Sequence, residues 1–367
     1  MILLCSMLCV CCSRPSDHPG VLETLKMAAS EGTPLYGHQD DLMYGHTWNV
    51  TKENDHGLTR SDVLSTAGAY PYILGLDLGG LEIDSPVNLD GNDFNLMREA
   101  AGMHYGRGGI VTLSWHLRNP LTGGDAWDVS SDEVVASILP GGPKHDYFIS
   151  WLDKVSDFIE SLKDADGEQI PVIWRPWHEH TGGWFWWGDE HCTPEQFNAL
   201  WRMTYDYMEH DRALEGLIWA ISPNSFEGDF ERWTERYPGD DMVDIVGLDC
   251  YCPTYLSQEQ AIPQYIADMR RCLGSLTGFA ESHGKPLAVT ETGYEGLTYE
   301  KWWTEVLAPA IEGFPVSYLL VWRNTDEMPR GMTHFYTPWP GGPSENDFID
   351  FVRDGKVKLL NIQPISE

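Results

Sequence analysis

Two glutamates stand where a carboxylate pair could do chemistry. Glu179 lies in "RPWHEHTGGWFWWG" (Arg175–Gly188), and Glu291 lies in "KPLAVTETGY" (Lys285–Tyr294). Each closely follows a short apolar run. Two carboxyls about 5–5.5 Å apart suit retaining cleavage of a glycosidic bond. One protonates the leaving oxygen and later deprotonates water, while the other attacks the anomeric carbon. The neighbouring residue types also suit a sugar. Trp115, Trp184, Trp187 and Trp322 offer flat faces for pyranose C–H groups. Asp, His, Arg and Asn side chains direct hydrogen bonds to hydroxyls. Tyr251, two residues after Asp249, can hold a carboxylate nucleophile ionised and oriented. Taken singly, each has a plainer role: a glutamate after a strand caps a helix, "WFWW" is core, and His116 is structural. The pattern carries weight only if these residues share one face.

The elements that would bring them together recur along the chain. Eight apolar runs each end in a polar loop: 33–40, 70–80, 108–120, 170–180, 215–224, 242–251, 285–294 and 315–324. They are nearly continuous in Val, Ile and Leu, as expected of parallel strands buried on both faces. Helical patterns lie between them. One spans 146–165, with Phe148, Trp151, Leu152, Val155, Phe158, Ile159 and Leu162 on a single stripe. Another spans 193–210, with a Thr N-cap and Pro at the first helical position. A third spans 262–284. Eight strands alternating with helices predict a single (β/α)8 TIM barrel, with an open doubly wound sheet as the alternative. Polar residues collect at the C-terminal ends of the runs, the face that carries barrel active sites. They include His38, Gln39 and Asp40, then Asp77, His116, Arg175, His178 and Glu179. Asn224, Asp249, Tyr251, Glu291, Trp322 and Arg323 follow. A closed barrel would gather them at one mouth, with the fourth and seventh runs on opposite sides of the ring.

Composition bounds the partners. The chain has 367 residues, 42% hydrophobic and 22% charged, enough for one large domain. Lys+Arg is 24 against 56 Asp+Glu, a formal net charge of −32. Such a field repels nucleic acid and anionic membranes and suits a neutral substrate. Aromatics reach 12%, with 16 tryptophans, most of them expected in the core. The opening "MILLCSMLCVCC" is an apolar run followed by polar "SRPSDHPG". It reads as an export leader over 1–20, possible as a lipoprotein signal with Cys11 or Cys12 lipidated. It is too short to span a bilayer and lacks a basic start. The expectation is an exported protein, periplasmic or anchored at the outer membrane of a Gram-negative cell. Residues 21–367 would then form the catalytic barrel, as a monomer without cofactor or metal. Cys192, Cys250, Cys252 and Cys272 show no metal-binding spacing; one or two disulfides, or four buried thiols, are both open.

Beyond these readings, a set of segments resembles one family. "GHQDDLMYGHTW" (Gly37–Trp48), "YPYILGLDLGGLE" (Tyr70–Glu82), "RPWHEHTGGWFWWG", "ISPNSF" (Ile221–Phe226), "GLDCY" (Gly247–Tyr251) and "TETGYEG" (Thr290–Gly296) are similar to glycoside hydrolase family 26. Its members are mostly β-mannanases on clan A (β/α)8 barrels. The resemblance covers almost the whole chain after the leader. It implies Glu179 as acid/base and Glu291 as nucleophile of a retaining endo-β-1,4-mannanase acting on mannan or galactomannan. It implies that His178 helps to position the acid/base and that Trp184 lies at the cleavage subsite. His116, Asp249 and Tyr251 would contact the distorted sugar or the nucleophile. Trp322 and Arg323 would form a platform and a donor for the next sugar, with Trp115 and Trp187 as further aromatic contacts. His180 departs from the family's apolar residue there, which leaves the subfamily open. Mannobiose-releasing exo action, β-1,3-xylan and lichenan stand as alternatives. The loops over 79–95 and 118–130 are the candidates for closing subsites. Two other classes are a metal-dependent hydrolase built on His116, His178, His180 and Asp residues, and a non-catalytic glycan-binding lipoprotein. The lack of a helical i, i+4 histidine pair argues against the first. The presence of both glutamates argues against the second.

Overall fold

The computed structural model describes residues 19–54, 56–226, 230–325 and 334–360. Eight parallel strands close into a ring: β1 (Leu35–Gln39), β2 (Ile73–Asp77), β3 (Ile110–Ser114), β4 (Val172–Arg175), β5 (Leu217–Ile221), β6 (Ile245–Val246, resuming at Asp249–Tyr251), β7 (Leu287–Gly293) and β8 (Val316–Val321). Each pairs with the next, and β8 pairs back onto β1 with Leu35 opposite Tyr318 and His38 opposite Val321. The chain therefore folds as the expected (β/α)8 barrel, and the barrel sheet closes on itself. In the ring β4 and β7 stand three strands apart, rather than diametrically opposite.

Strand residues alternate between two apolar clusters, as a period of two requires. Ile73, Ile110, Ile173, Ile218, Ala220, Ile245, Ala288, Tyr318 and Leu320 belong to the smaller one, together with Val21, Leu25 and Ala28 of helix α1 (Pro19–Glu31). Their neighbours Leu74, Leu76, Val111, Val172, Trp174, Leu319 and Val321 join the larger one, which the other helices cover. The strands are thus buried on both faces.

Helix α2 (His145–Glu160) buries the predicted stripe, including Phe148, Trp151, Leu152, Val155 and Phe158. It stops before residue 165 because Lys163 pairs with Gln169 in a short antiparallel bridge. Helix α3 (Pro194–Asp206) begins with a full capping box, Thr193 and Gln196 each accepting a backbone N–H of the other. Helix α4 (Gln258–Ser282) starts four residues earlier than predicted and takes Pro263 into its second turn. Two small hairpins gave no strand signal in the sequence: Tyr44–Gly45 with Trp48–Asn49, and Asn324–Thr325 with His334–Phe335.

The leader, with Cys5, Cys9, Cys11 and Cys12, lies outside the described residues but for its last two positions. Cys192, Cys250, Cys252 and Cys272 are buried free thiols. No described helix is long and apolar enough to cross a membrane.

Candidate active site

Glu179 owes its position to an irregular exit from β4. Trp177 and Glu179 both take left-handed backbone angles, with φ of 54° and 52°. Such conformations cost about 1–3 kcal/mol in a non-glycine residue and persist only where the surroundings fix them. Here the Glu179 N–H donates to the Ser222 carbonyl at 2.7 Å, tying the turn to the end of β5. The loop then folds back across two glycines. A Cβ at Gly182 would collide with the Trp184 indole, and one at Gly183 with the Glu190 carboxylate. Trp184 can therefore return to Glu179 and donate its indole N–H to Oε2 at 2.6 Å. The indole stays 41% exposed, open to a ligand. Burial, then the negative charges of Glu291 and Asp249, hold the Glu179 carboxyl well above the usual carboxylate range. The Trp184 hydrogen bond and Arg175 oppose this without reversing it.

Glu291, inside β7, meets the opposite surroundings. Arg175 donates to its Oε1 through Nη2, and the Tyr251 hydroxyl donates to Oε2 at 2.8 Å. Arg175 also reaches Asp249 Oδ2 at 2.9 Å and Ser222 Oγ at 3.1 Å. Thr290 Oγ1 donates to Asp249 Oδ1 at 2.6 Å. A buried cation thus sits between two carboxylates and fixes the nearer oxygen of each. One oxygen each from Glu179, Asp249 and Glu291 lies within 4.8 Å of the others. These three form the one carboxylate cluster among the described residues with cation-binding spacing, and the Arg175 guanidinium already bridges two of them.

Behind Glu179 runs a second chain of polar contacts. His116 Nδ1 bonds Asp77 Oδ2 at 2.7 Å, and His116 Nε2 meets His178 Nε2 at 3.0 Å. Burial alone would raise Asp77, but the charge and hydrogen bond of His116, with donors Ser114 and Gly79, bring it down to about 2. Burial, then His116 and Arg175, keep His178 well below the normal imidazole value, so it is neutral. His180 is buried against Phe197, the rings stacked at 4.6 Å. Among the described residues, His116, His178 and His180 do not share a group of three or more ligand atoms with cation-binding spacing, with or without the Asp side chains.

The remaining expected residues divide. The cleft, about 220 Å³, is bordered by His116, Glu179, Trp184, Tyr251, Glu291, Trp322 and Arg323. Trp115 and Trp187 are corrections: both are fully buried and present no face to a ligand. Strand alternation explains Trp115. His116 turns inward, so Trp115 turns outward onto Phe148, Trp174 and Trp177. Trp187 lies beneath Phe185, stacked at 4.4 Å, and donates to the His178 carbonyl. His178 and Asp249 are buried as well, His178 against His116 and Asp249 against Arg175. Arg323 places its guanidinium 5.6 Å from the Trp322 ring and pairs with Asp90, fastening the loop after β2 to the end of β8.

Several cleft residues escaped the sequence reading. Trp127, 48% exposed, stacks on His116 at 5.4 Å. It lies in the 118–130 loop already marked as a subsite candidate. Asp90 lies likewise in the marked 79–95 loop. His334 and Tyr336 reach the cleft from the hairpin after β8, for which the sequence carried no signal.

Comparison with known proteins agrees with this geometry. Residues 34–289 match the model of glycosyl hydrolase family 26, a region that ends just before Glu291. A mannan endo-1,4-beta-mannosidase of Bifidobacterium adolescentis is 31% identical over 336 residues, 86% of this chain. The aligned part is 33% of that protein, so the chain spans about a third of its length. A family 26 beta-mannanase structure from Bacteroides ovatus is 43% identical, with a TM-score of 0.86 over 95% of this chain and 96% of that one. The catalytic domain of an endo-beta-1,4-mannanase from Bacillus sp. JAMB-750 is 31% identical, with a TM-score of 0.83 over 94% and 92%. Barrel, paired glutamates and matched sequence coincide, and the chain belongs to glycosyl hydrolase family 26.

Proposed function

We propose that the protein is an endo-acting β-1,4-mannanase that cleaves mannan or galactomannan with retention of configuration. The observation that carries the reading is the Glu179–Glu291 pair: oxygens within 4.8 Å, in opposite electrostatic surroundings. Oxygens that close accord with the carboxyl separation of about 5–5.5 Å at which one carboxylate attacks directly. Glu179, protonated by its environment, gives its proton to the leaving oxygen. Glu291, held by Arg175 and Tyr251 with both oxygens oriented, attacks the anomeric carbon. Once Glu291 is esterified its charge is gone, and one of the causes that raises Glu179 goes with it. Glu179 is then better able to ionise and take a proton from the incoming water. Exposed Trp184 and Trp127 supply ring-stacking surfaces, with Trp322 partly exposed between the walls.

Mannan as substrate is supported by the names of the relatives, and a neutral polymer suits a chain of charge −32. Export through the leader belongs to the same proposal. Glu179→Ala and Glu291→Ala should each lower mannan hydrolysis by at least about 10²-fold with the melting curve retained. Normal turnover by Glu291→Ala contradicts the assignment. A product time course on mannopentaose, locust bean galactomannan, lichenan and β-1,3-xylan decides substrate and mode of cutting together. Mannobiose as the sole early product would replace endo action by exo action.

A further inference from the structure

Tyr336 lies on none of the eight barrel strands, yet its ring comes to rest between two parts of the catalytic apparatus. The hairpin after β8 delivers it. Asn324 is fully buried and its side-chain carbonyl accepts from the N–H groups of Tyr336 and Thr337, both at 2.9 Å. Its amide donates to the Thr337 carbonyl at 2.8 Å and to Asp62 at 2.9 Å. One side chain therefore clamps the returning strand on both sides of Tyr336.

The ring then makes two contacts. It lies on the backbone of Gly293, two residues beyond Glu291 on β7, so closely that a Cβ there would overlap a ring carbon. It also meets Tyr251 edge to face, centroids 5.8 Å apart at 70°. Tyr251 is the phenol that donates to Glu291 Oε2. Its ring is only partly buried, at the mouth of the barrel, and Tyr336 is its one aromatic neighbour among the described residues. A phenol at the end of a side chain with free ring rotation about χ1 and χ2 holds a 2.8 Å hydrogen bond only if its ring is confined. Tyr336 supplies the confinement from the cleft side, and the missing side chain at Gly293 gives it room.

We propose that Tyr336 is a positioning residue for the nucleophile, holding the Tyr251 hydroxyl on Glu291. The inference rests on the reading of Glu291 as nucleophile. Its action is indirect, so it should affect the chemical step through Tyr251 and through no other route.

The test is a double-mutant cycle on mannan hydrolysis with the full chain: Tyr336→Ala, Tyr251→Phe and the pair. Tyr336→Ala should lower kcat about 10- to 100-fold, the size of effect that misplacing a reacting group by about an ångström produces, with KM changed less than about threefold. In the Tyr251→Phe background, which already lacks the donor, Tyr336→Ala should cost little more. Tyr336→Phe, which keeps the ring, should restore most of the lost kcat. Independent, multiplying effects of the two changes overturn the proposal, because they place Tyr336 on a separate route. A change confined to KM also overturns it, because it makes Tyr336 a direct sugar contact. If Tyr336→Ala does not fold, the cycle is run with Tyr336→Leu and read in the same way. Failure of the underlying reading looks different: the wild type releases no reducing sugar from mannan, or Glu291→Ala stays active.

Discussion

At the level of single residues, two glutamates of the same chemistry are made different by what donates to them. Glu291 has a guanidinium on one oxygen and a phenol on the other. Glu179 has one indole N–H, two nearby negative charges and a desolvated site. This gives a signed prediction for Trp184→Phe. The indole N–H favours the ionised form of Glu179, so its loss raises that group further. Glu179 must be protonated for the first step, so the basic limb of the kcat/KM profile should move to higher pH. A pH–rate profile of the variant on soluble galactomannan checks this, and a limb that moves to lower pH contradicts it. The sequence shows Glu179, Glu291 and Trp184 clearly, because they sit in short, unusual strings. It does not show which way a tryptophan turns. Trp115 and Trp184 look equally available as letters, and only strand parity and the glycine pair at Gly182–Gly183 separate core from cleft.

At the level of elements, the eight strands were legible because they are buried on both faces and nearly pure in Val, Ile and Leu. The hairpins were not legible. Two-residue ladders have no periodicity, and the one after β8 is held by the side chain of Asn324 rather than by an apolar pattern. Polar ties between neighbouring strands were equally hidden. Asp77 at the end of β2 holds His116 beyond β3, and its folded value of about 2 lies below the ordinary 3.8. A carboxyl lowered on folding stabilises the fold above its unfolded value, and that contribution is lost as pH falls toward the folded value. Asp77→Asn should therefore destabilise the protein by about 2 kcal/mol at neutral pH. The deficit relative to wild type should shrink between about pH 4 and about pH 2. Urea unfolding of both proteins across that range measures it. An equal deficit at every pH would assign the loss to packing instead of charge.

For the whole molecule, barrel closure is what turns scattered letters into a site. Residues from β2, β3, β4, β6, β7 and β8 meet at one mouth only because β8 pairs back onto β1. Arg175 of β4 then reaches Asp249 of β6 and Glu291 of β7 in a single span. The loop after β2 reaches β8 through Asp90 and Arg323, so the cleft has a tied wall on that side. The barrel count was readable from the sequence, whereas these cross-ring ties were not, since no spacing links residues 74 to 233 positions apart. All of this geometry serves one claim, that Glu291 attacks carbon directly while Glu179 supplies the proton. The anomeric form of the first-formed sugar tests it most directly. Proton NMR during the first minutes of mannopentaose hydrolysis should show the β-anomer of the new reducing end appearing first, with the α-anomer growing in later by mutarotation. Initial release of the α-anomer would mean inversion, and would contradict the double displacement between Glu179 and Glu291.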